Sequence, residues 1–245
     1  MGHNQYIDMI NRMNLLYFEM LGNLRGNENH KEDHLHWLTG DIEYIYYIGE
    51  VDINEIIRRM KADEIPKTLM FQVGDMRSES FMDAGLFTKE TVAVMAHELG
   101  DTVLPKPGKD LNIFKVSEIV QLKAAGAILN TVRDYRLFSF EDYLDMMNND
   151  GQNFYLAEYD GLPVGACMAM DGDDFLAIPF IGTLPAYRKL GIAGCLIQLA
   201  EQDGINRGKT VGVRNAFPIA IGACKRVGYR ECGDTITLTL KEDHD

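Results

Sequence analysis

Near the start of the chain Tyr6, Ile10, Met13, Tyr17, Met20, Leu21 and Leu24 recur at three- and four-residue intervals. That spacing is the apolar stripe of an amphipathic helix, weakened at its end by Gly22 and Gly26. Residues 26–33 are polar and read as a loop. Ile42, Tyr44, Tyr46 and Ile48 alternate with other residues up to Gly49, which predicts a strand. Asp52 and Glu55 form a capping-box pattern ahead of Ile53, Ile56, Ile57 and Met60, so a helix begins there. Pro66 ends it, Thr68 to Val73 reads as a strand, and Ser78 to Ala84 as a short helix stopped by Gly85. Thr91 to Leu99 fits either helix or strand. Two prolines and a glycine in Leu104-Pro105-Lys106-Pro107-Gly108 then mark a linker. The division is a first domain over 1–104, a linker over 105–110 and a second domain over 111–245.

The second half opens with a short strand, Asn112 to Val116, and a helical region from Ser117 to Tyr135. Phe140, Tyr143, Leu144 and Met147 follow Ser139 at helical spacing. Phe154 to Tyr159, the turn pair Asp160-Gly161 and Leu162 to Met170 predict a tight hairpin. Asp171-Gly172 turns into Phe175 to Thr183, a strand apolar enough to be covered on both faces. A helix carrying Ile192, Cys195, Leu196 and Leu199 comes next, stopped near Gly208. Val211 to Val213 is a strand, Ile219 to Arg226 a helix and Thr235 to Leu240 a closing strand. The order β-α-α-β-β-β-α-β-α-β describes an α/β domain.

Composition narrows the function classes. Among 245 residues, 37 acidic side chains against 24 basic give a net charge of −13. This argues against a nucleic-acid or anionic-membrane protein, which would cluster Lys and Arg. An apolar fraction of 46% and a charged fraction of 25% are ordinary for a globular protein. The longest uncharged apolar runs, such as Phe175 to Leu184, are far shorter than the roughly 20 residues that span a bilayer. No leader pattern is read at the N-terminus, so a cytoplasmic location is expected. Cys167, Cys195, Cys224 and Cys232 form no C-x-x-C pair, and free thiols are favoured. His30, His34 and His36 with Glu32 and Asp33 are close in sequence. They lie in a polar stretch without a cysteine and read as solvated residues, so no metal is expected.

The charge is unevenly spread. Ile181 to Arg230 holds Arg188, Lys189, Arg207, Lys209, Arg214, Lys225, Arg226 and Arg230 against Glu201 and Asp203, a local +6 that leaves −19 for the rest. Inside this window an apolar strand ends, Pro185 breaks the chain, and Gly191, Ala193 and Gly194 open a helix. Backbone N–H groups of Lys189 to Gly194 become the unsatisfied donors of that helix N-terminus, a ready anion site. Small residues let a pyrophosphate approach the backbone, and Arg188 adds charge.

These residues resemble the GNAT acetyltransferase superfamily. The resemblance rests on Arg188, Gly191 and Ala193 in the family's R/Q-x-x-G-x-G/A loop and on Lys225-Arg226-Val227-Gly228-Tyr229 as its closing motif. It covers roughly Asn112 to Leu240. It implies a mixed, mostly antiparallel sheet flanked by helices, with acetyl-CoA as co-substrate. Ile181, Gly182 and Thr183 would bind the pantetheine arm; Arg188, Lys189, Leu190, Gly191, Ile192, Ala193 and Gly194 would bind the pyrophosphate. A primary amine of a small molecule or peptide would enter from the other side of the splayed pair of strands Phe175–Thr183 and Val211–Val213, and attack the thioester directly. The first half is similar to the truncated N-terminal lobe of tandem GNAT proteins and has no phosphate loop. A monomer or a homodimer is expected.

Two positions depart from the family pattern. The Tyr that many members use as general acid for the departing thiolate is replaced by Cys224, and the Asn seven residues earlier by Phe217. Cys224 could serve as the acid, as an acyl-accepting nucleophile, or as a small apolar residue in a helix. Strand Phe175–Thr183 carries no ionisable side chain, leaving Asp174 and Glu158 as candidates for the general base. The chain therefore reads as an N-acetyltransferase or, alternatively, as a non-enzymatic acyl-CoA-binding regulatory module.

Overall fold

A computed structural model describes residues 3–71, 77–100, 108, 110–132 and 138–240, with side chains from residue 5 onward. In chain order the helices are α1 (His3–Gly22), α2 (Ile53–Lys61), α3 (Ser78–Asp83), α4 (Ile119–Thr131), α5 (Phe140–Met147), α6 (Ile192–Asn206) and α7 (Pro218–Arg226). The strands are β1 (Asn27–Glu32), β2 (Leu35–Gly40), β3 (Tyr44–Tyr47), β4 (Thr68–Met70), β5 (Leu86–Glu98), β6 (Leu111–Lys115), β7 (Gln152–Tyr159), β8 (Leu162–Asp171), β9 (Phe175–Thr183), β10 (Val211–Ala216) and β11 (Arg230–Leu240). The chain divides into two compact units, Met1–Val94 with Cys232–Asp245, and Met95–Glu231. The linker expected over 105–110 lies outside the described residues except for 108 and 110, and so do Val73, Tyr135 and the strand or helix ends expected there. Among the described residues no helix is long and apolar enough to cross a membrane.

The first unit carries strands in the order β1-β2-β3-β4-β11. Strand β1 with β2, β2 with β3 and β4 with β11 are antiparallel, and β3 with β4 is parallel. Residues 27–32, expected as loop, form β1. This outermost strand is exposed along much of both faces, so its polar composition carries no apolar alternation. It is held by pairing with β2, where the His30 ring stacks on Trp37 at 5.2 Å. The histidines here are thus parts of a hairpin rather than of a solvated loop. Thr91–Leu99, ambiguous by pattern, is strand as far as Glu98 and extends back to Leu86. Asp52 caps α2 as expected, accepting from the N–H groups of Asn54 and Glu55, while the Glu55 carboxylate takes Arg58 at 2.8 Å. The core of the unit is aromatic, with Phe71 edge-on to both Tyr47 and Phe81.

In the second unit the strands follow the order β10-β9-β8-β7-β6, antiparallel apart from β9 with β10. The sheet is mixed and mostly antiparallel with helices on both faces, as the sequence resemblance implied. On one face α4 comes so close to β9 that a Cβ on Gly182 would collide with Val132. On the other, a Cβ on Gly165 would stand 2.7 Å from Ile192 of α6. The hairpin β7–β8 turns on Asp160 and Gly161, both at positive φ, 50° and 75°.

The far end of α6 is fastened by charge. Asp203 accepts from the Tyr155 hydroxyl at 2.6 Å and from Lys115 at 3.0 Å, and pairs with Arg207, which itself holds Asp171 at 2.7 and 2.9 Å. Burial alone would raise the Asp203 carboxyl, but hydrogen bonds from Tyr155, Lys115 and Arg207 outweigh it and hold the group below its ordinary value. A carboxylate depressed in the folded state stabilises above its unfolded pKa, about 3.9, and loses that contribution as pH falls through the folded value. Asp203→Asn should therefore cost on the order of 1 kcal/mol at neutral pH. Denaturant titrations should show a shallower loss of stability below about pH 4 than in the wild type.

Candidate functional site

Strand β9 ends at Thr183, and Pro185–Tyr187 forms a short 3-10 turn before α6 begins at Ile192. The Arg188 side chain folds back so that its Nε donates to the Thr183 carbonyl at 3.2 Å. Lys189 and Gly191 take left-handed backbone conformations, with φ of 67° and 80°. Gly191 is the N-cap of α6, and no side chain caps the helix. The first backbone bond into α6 runs from the Cys195 N–H to the Gly191 carbonyl at 3.1 Å. Among the described residues the N–H groups of Lys189 to Gly194 donate to no backbone carbonyl. These are orphan donors of a 15-residue helix with no acidic side chain in its first turn, at its positive end. A Cβ at Gly191 would meet nothing within 4 Å, so the space in front of the donors is open. Ile192 is buried beneath them against β8, which fixes the loop to the sheet.

The basic window is less concentrated than its sequence count implies. Arg207 and Lys209 lie at the opposite end of α6, about 22 Å away at 1.5 Å per residue, engaged with Asp171 and the Gly172 carbonyl. Lys225 pairs with Glu231 at 2.5 Å, and Arg214 is buried. Arg188 and Lys189, both exposed, are the cations of the loop itself.

Beside the loop, β9 and β10 part. Their parallel ladder covers Phe175–Ala177 with Val211–Val213; beyond it, residues 178–183 of β9 and 214–216 of β10 share no described pairing. Strand β10 runs to Ala216, longer than the sequence suggested, because its last residues leave the ladder and lack a simple apolar alternation. At the open end of β9 the Thr183 Oγ1 is buried and has no partner. Together the orphan N–H groups, the open glycine and this hydroxyl fit a phosphate-terminated arm laid along β9.

The candidate acid and bases fall in different places. Cys224 is fully buried in α7, within the core cluster that includes Leu196, Ala216 and Tyr229, and burial pushes its thiol up. Asp174 precedes β9 at the end remote from the loop, roughly 30 Å from Thr183 at 3.3 Å per residue. Glu158 is half-buried, one step beyond the row Ala157–Gly165–Thr183, two strands or roughly 10 Å from the end of β9. Of the two carboxylates, the structure brings Glu158 to the loop end. Among the described residues no group of three or more His, Cys, Asp or Glu is placed to hold a metal ion.

A buried polar cluster under α6 and α7 was not singled out from sequence. Glu201 is 0% exposed and lies 3.1 Å from His97 Nδ1, with its second oxygen unpartnered. Arg214 and Tyr229 are buried beside it, and burial holds the Tyr229 hydroxyl well above its ordinary value. The signal was present: Glu201 interrupts the apolar stripe Ile197, Ala200, Gly204 on α6.

No curated protein sequence matches the chain. Residues 123–229 match the model of the Acetyltransferase (GNAT) family. A GCN5-related N-acetyltransferase from Kribbella flavida superposes with a TM-score of 0.69 at 16% identity, over 95% of this chain and 96% of its own. One from Sphaerobacter thermophilus gives 0.66 at 15% identity, over 84% and 79%. A tandem GNAT protein from the clavulanic acid biosynthesis pathway gives 0.65 at 10%, over 97% and 94%. At these identities the likeness is one of fold.

Proposed function

We propose, for a chain whose residues 123–229 match the model of the Acetyltransferase (GNAT) family, that it moves an acetyl group from acetyl-CoA to a primary amine of a small molecule or peptide. The observation that carries this reading is the run of orphan N–H groups from Lys189 to Gly194 facing open space at Gly191. Those groups, with Arg188, would hold the pyrophosphate; Ile181, Gly182 and Thr183 would hold the pantetheine arm along the free edge of β9. Acetyl-CoA supplies an activated thioester when bound. Glu158, at the same end of the sheet, would take the proton that an ammonium acceptor must lose before it can attack. The −19 outside the basic window favours a cationic acceptor. Residues 1–104 would form a non-catalytic GNAT-like lobe, 105–110 a linker and 111–245 the catalytic domain, acting in the cytoplasm as a monomer or homodimer.

A second reading, a non-enzymatic acyl-CoA-binding module, is favoured by the buried thiol of Cys224 at the position of the family's acid. Calorimetric titration with acetyl-CoA followed by assay of CoA release against a panel of amines separates the two. Binding with turnover on at least one amine supports the enzyme. Binding without turnover on any amine supports the module, and absence of binding removes both.

A further inference from the structure

Arg214 is a buried guanidinium with unmade bonds. It is 3% exposed, and its Nε and Nη1 have no hydrogen-bond partner. A buried charged donor left in this state costs several kcal/mol unless something else meets it. Its position narrows what that is. Arg214 directly follows Val213, the last residue at which β10 pairs with β9, so it stands where the two strands begin to part. Gly212, Arg214 and Ala216 share one face of β10 by alternation. That face lies under α6 and α7, because a Cβ on Gly212 would collide with the Tyr229 hydroxyl and Ala216 packs with Cys224 and Tyr229. An arm running along β9 from Thr183 to the level of Ile178, opposite Arg214, covers roughly 16 Å at 3.3 Å per residue. An extended pantetheine arm spans that length and ends in sulfur.

Two thiols of the protein show what this cation does to sulfur. Burial pushes Cys224 up and Cys167 to about 12, and for each the Arg214 charge is the foremost influence in the opposite direction. The groups facing the guanidinium from the surrounding elements are Cys167 on β8, Glu201 on α6, Cys224 on α7, Tyr229 after it, and His97 on β5, which Glu201 holds. Burial makes both thiols and the Tyr229 hydroxyl hold their protons more tightly than usual, which makes them poorer acids toward a leaving sulfur, and Glu201 is tied to His97.

We propose that Arg214 is a catalytic residue that receives the departing CoA sulfur as a thiolate, stabilising by charge what an acid would stabilise by proton transfer. This rests on the acyltransferase reading above. The amine nitrogen forms the C–N bond at the thioester carbonyl. The C–S bond breaks with its electron pair passing to sulfur, and the thiolate pairs with the Nε and Nη1 hydrogens. The proton lost by the amine passes to water. A guanidinium does not give up its own proton, so the sulfur is protonated by solvent only after it leaves.

The test titrates the thiol of bound CoA by its ultraviolet thiolate absorbance, in wild type, Arg214→Met and Arg214→Lys. In the wild type the bound thiol should ionise at least one pH unit below free CoA, and in Arg214→Met at or above it. CoA affinity at low pH should stay within about threefold, and turnover should fall about 10²–10³-fold in the Met variant, less in the Lys variant. The same ionisation pH in wild type and Arg214→Met overturns the proposal, even where amine acetylation persists and the acyltransferase reading stands. Wild type that binds no CoA removes both. A preference for succinyl-CoA over acetyl-CoA that disappears in Arg214→Met, with the thiol titration unmoved, assigns the cation to an acyl carboxylate and overturns the proposal as well. If the variants fail to fold, the wild type alone decides. CoA should bind more tightly as pH rises through the bound thiol's ionisation, whereas CoA lacking its sulfur should not, and matching profiles overturn the assignment.

Discussion

A Gly191→Glu variant should fold and lose at least 100-fold in affinity for CoA, measured by calorimetry. The two halves of this expectation have separate causes. Nothing lies within 4 Å of a Cβ at Gly191, so a side chain meets no clash there, and the structural cost is the positive φ of 80°. An L-residue in that conformation costs about 1–2 kcal/mol, which a chain of this size tolerates with a fall of a few degrees in melting temperature. The carboxylate, however, would sit in front of the orphan N–H groups, satisfy them in place of phosphate, and repel a dianionic ligand. Gly191→Ala separates the terms, since it pays the strain without the charge, and its affinity should stay within about fivefold of wild type. An unchanged affinity in the Glu variant refutes the phosphate-loop assignment.

The largest effect on stability is expected at Glu201. Its carboxylate is fully buried, accepts from or pairs with His97 at 3.1 Å, and lies among the same groups that feel the charge of Arg214. Glu201→Ala would leave His97 without its partner, take a negative charge out of a buried set that includes Arg214, and open a cavity under α6. Removing one member of a buried charge set typically costs about 3–5 kcal/mol. For a chain of this length that corresponds to a melting point lower by roughly 10 °C. Glu201→Gln keeps the volume and the hydrogen bond to His97, and should recover part of the loss. If Glu201→Ala melts within a degree of wild type, the cluster contributes nothing to stability.

What could be read from sequence depended on where local pattern and tertiary role coincide. The hairpin β7–β8 was legible because Asp160-Gly161 demands the left-handed pair it adopts and apolar residues flank it. The loop into α6 was legible for a related reason: Pro185, Gly191 and Gly194 are constraints on backbone shape, and backbone shape is what binds an anion. Strand β1 was hidden because both its faces meet water, so Asn27–Glu32 carries only the polarity of a loop; its order comes from pairing with β2, which no window of β1 contains. The charge count around Arg188 summed cations that the fold sends to both ends of α6. Arg214 enters the sequence reading only as one more cation of the basic window, since nothing in Val-Arg-Asn says that the strand lies under two helices. The general base shows the same limit. Asp174 and Glu158 are equivalent as residue types, and only strand register places one of them near Thr183.

Strand β4 is completed from far along the chain. Thr68, Leu69 and Met70 pair with Thr239, Leu238 and Thr237, the Phe71 N–H donates to the Ile236 carbonyl at 2.8 Å, and buried Asn14 donates to Thr235 at 3.3 Å. On a ribosome, residues 95–231 must all be made before these partners emerge, which at roughly 5–20 residues per second takes on the order of ten seconds. The half of the protein synthesised first is thus the half that finishes folding last, and until then it presents the bare edge of β4 to the cell. A fragment cut after residue 104 would remain in that state permanently, and its solubility, rather than its activity, would be the first thing lost.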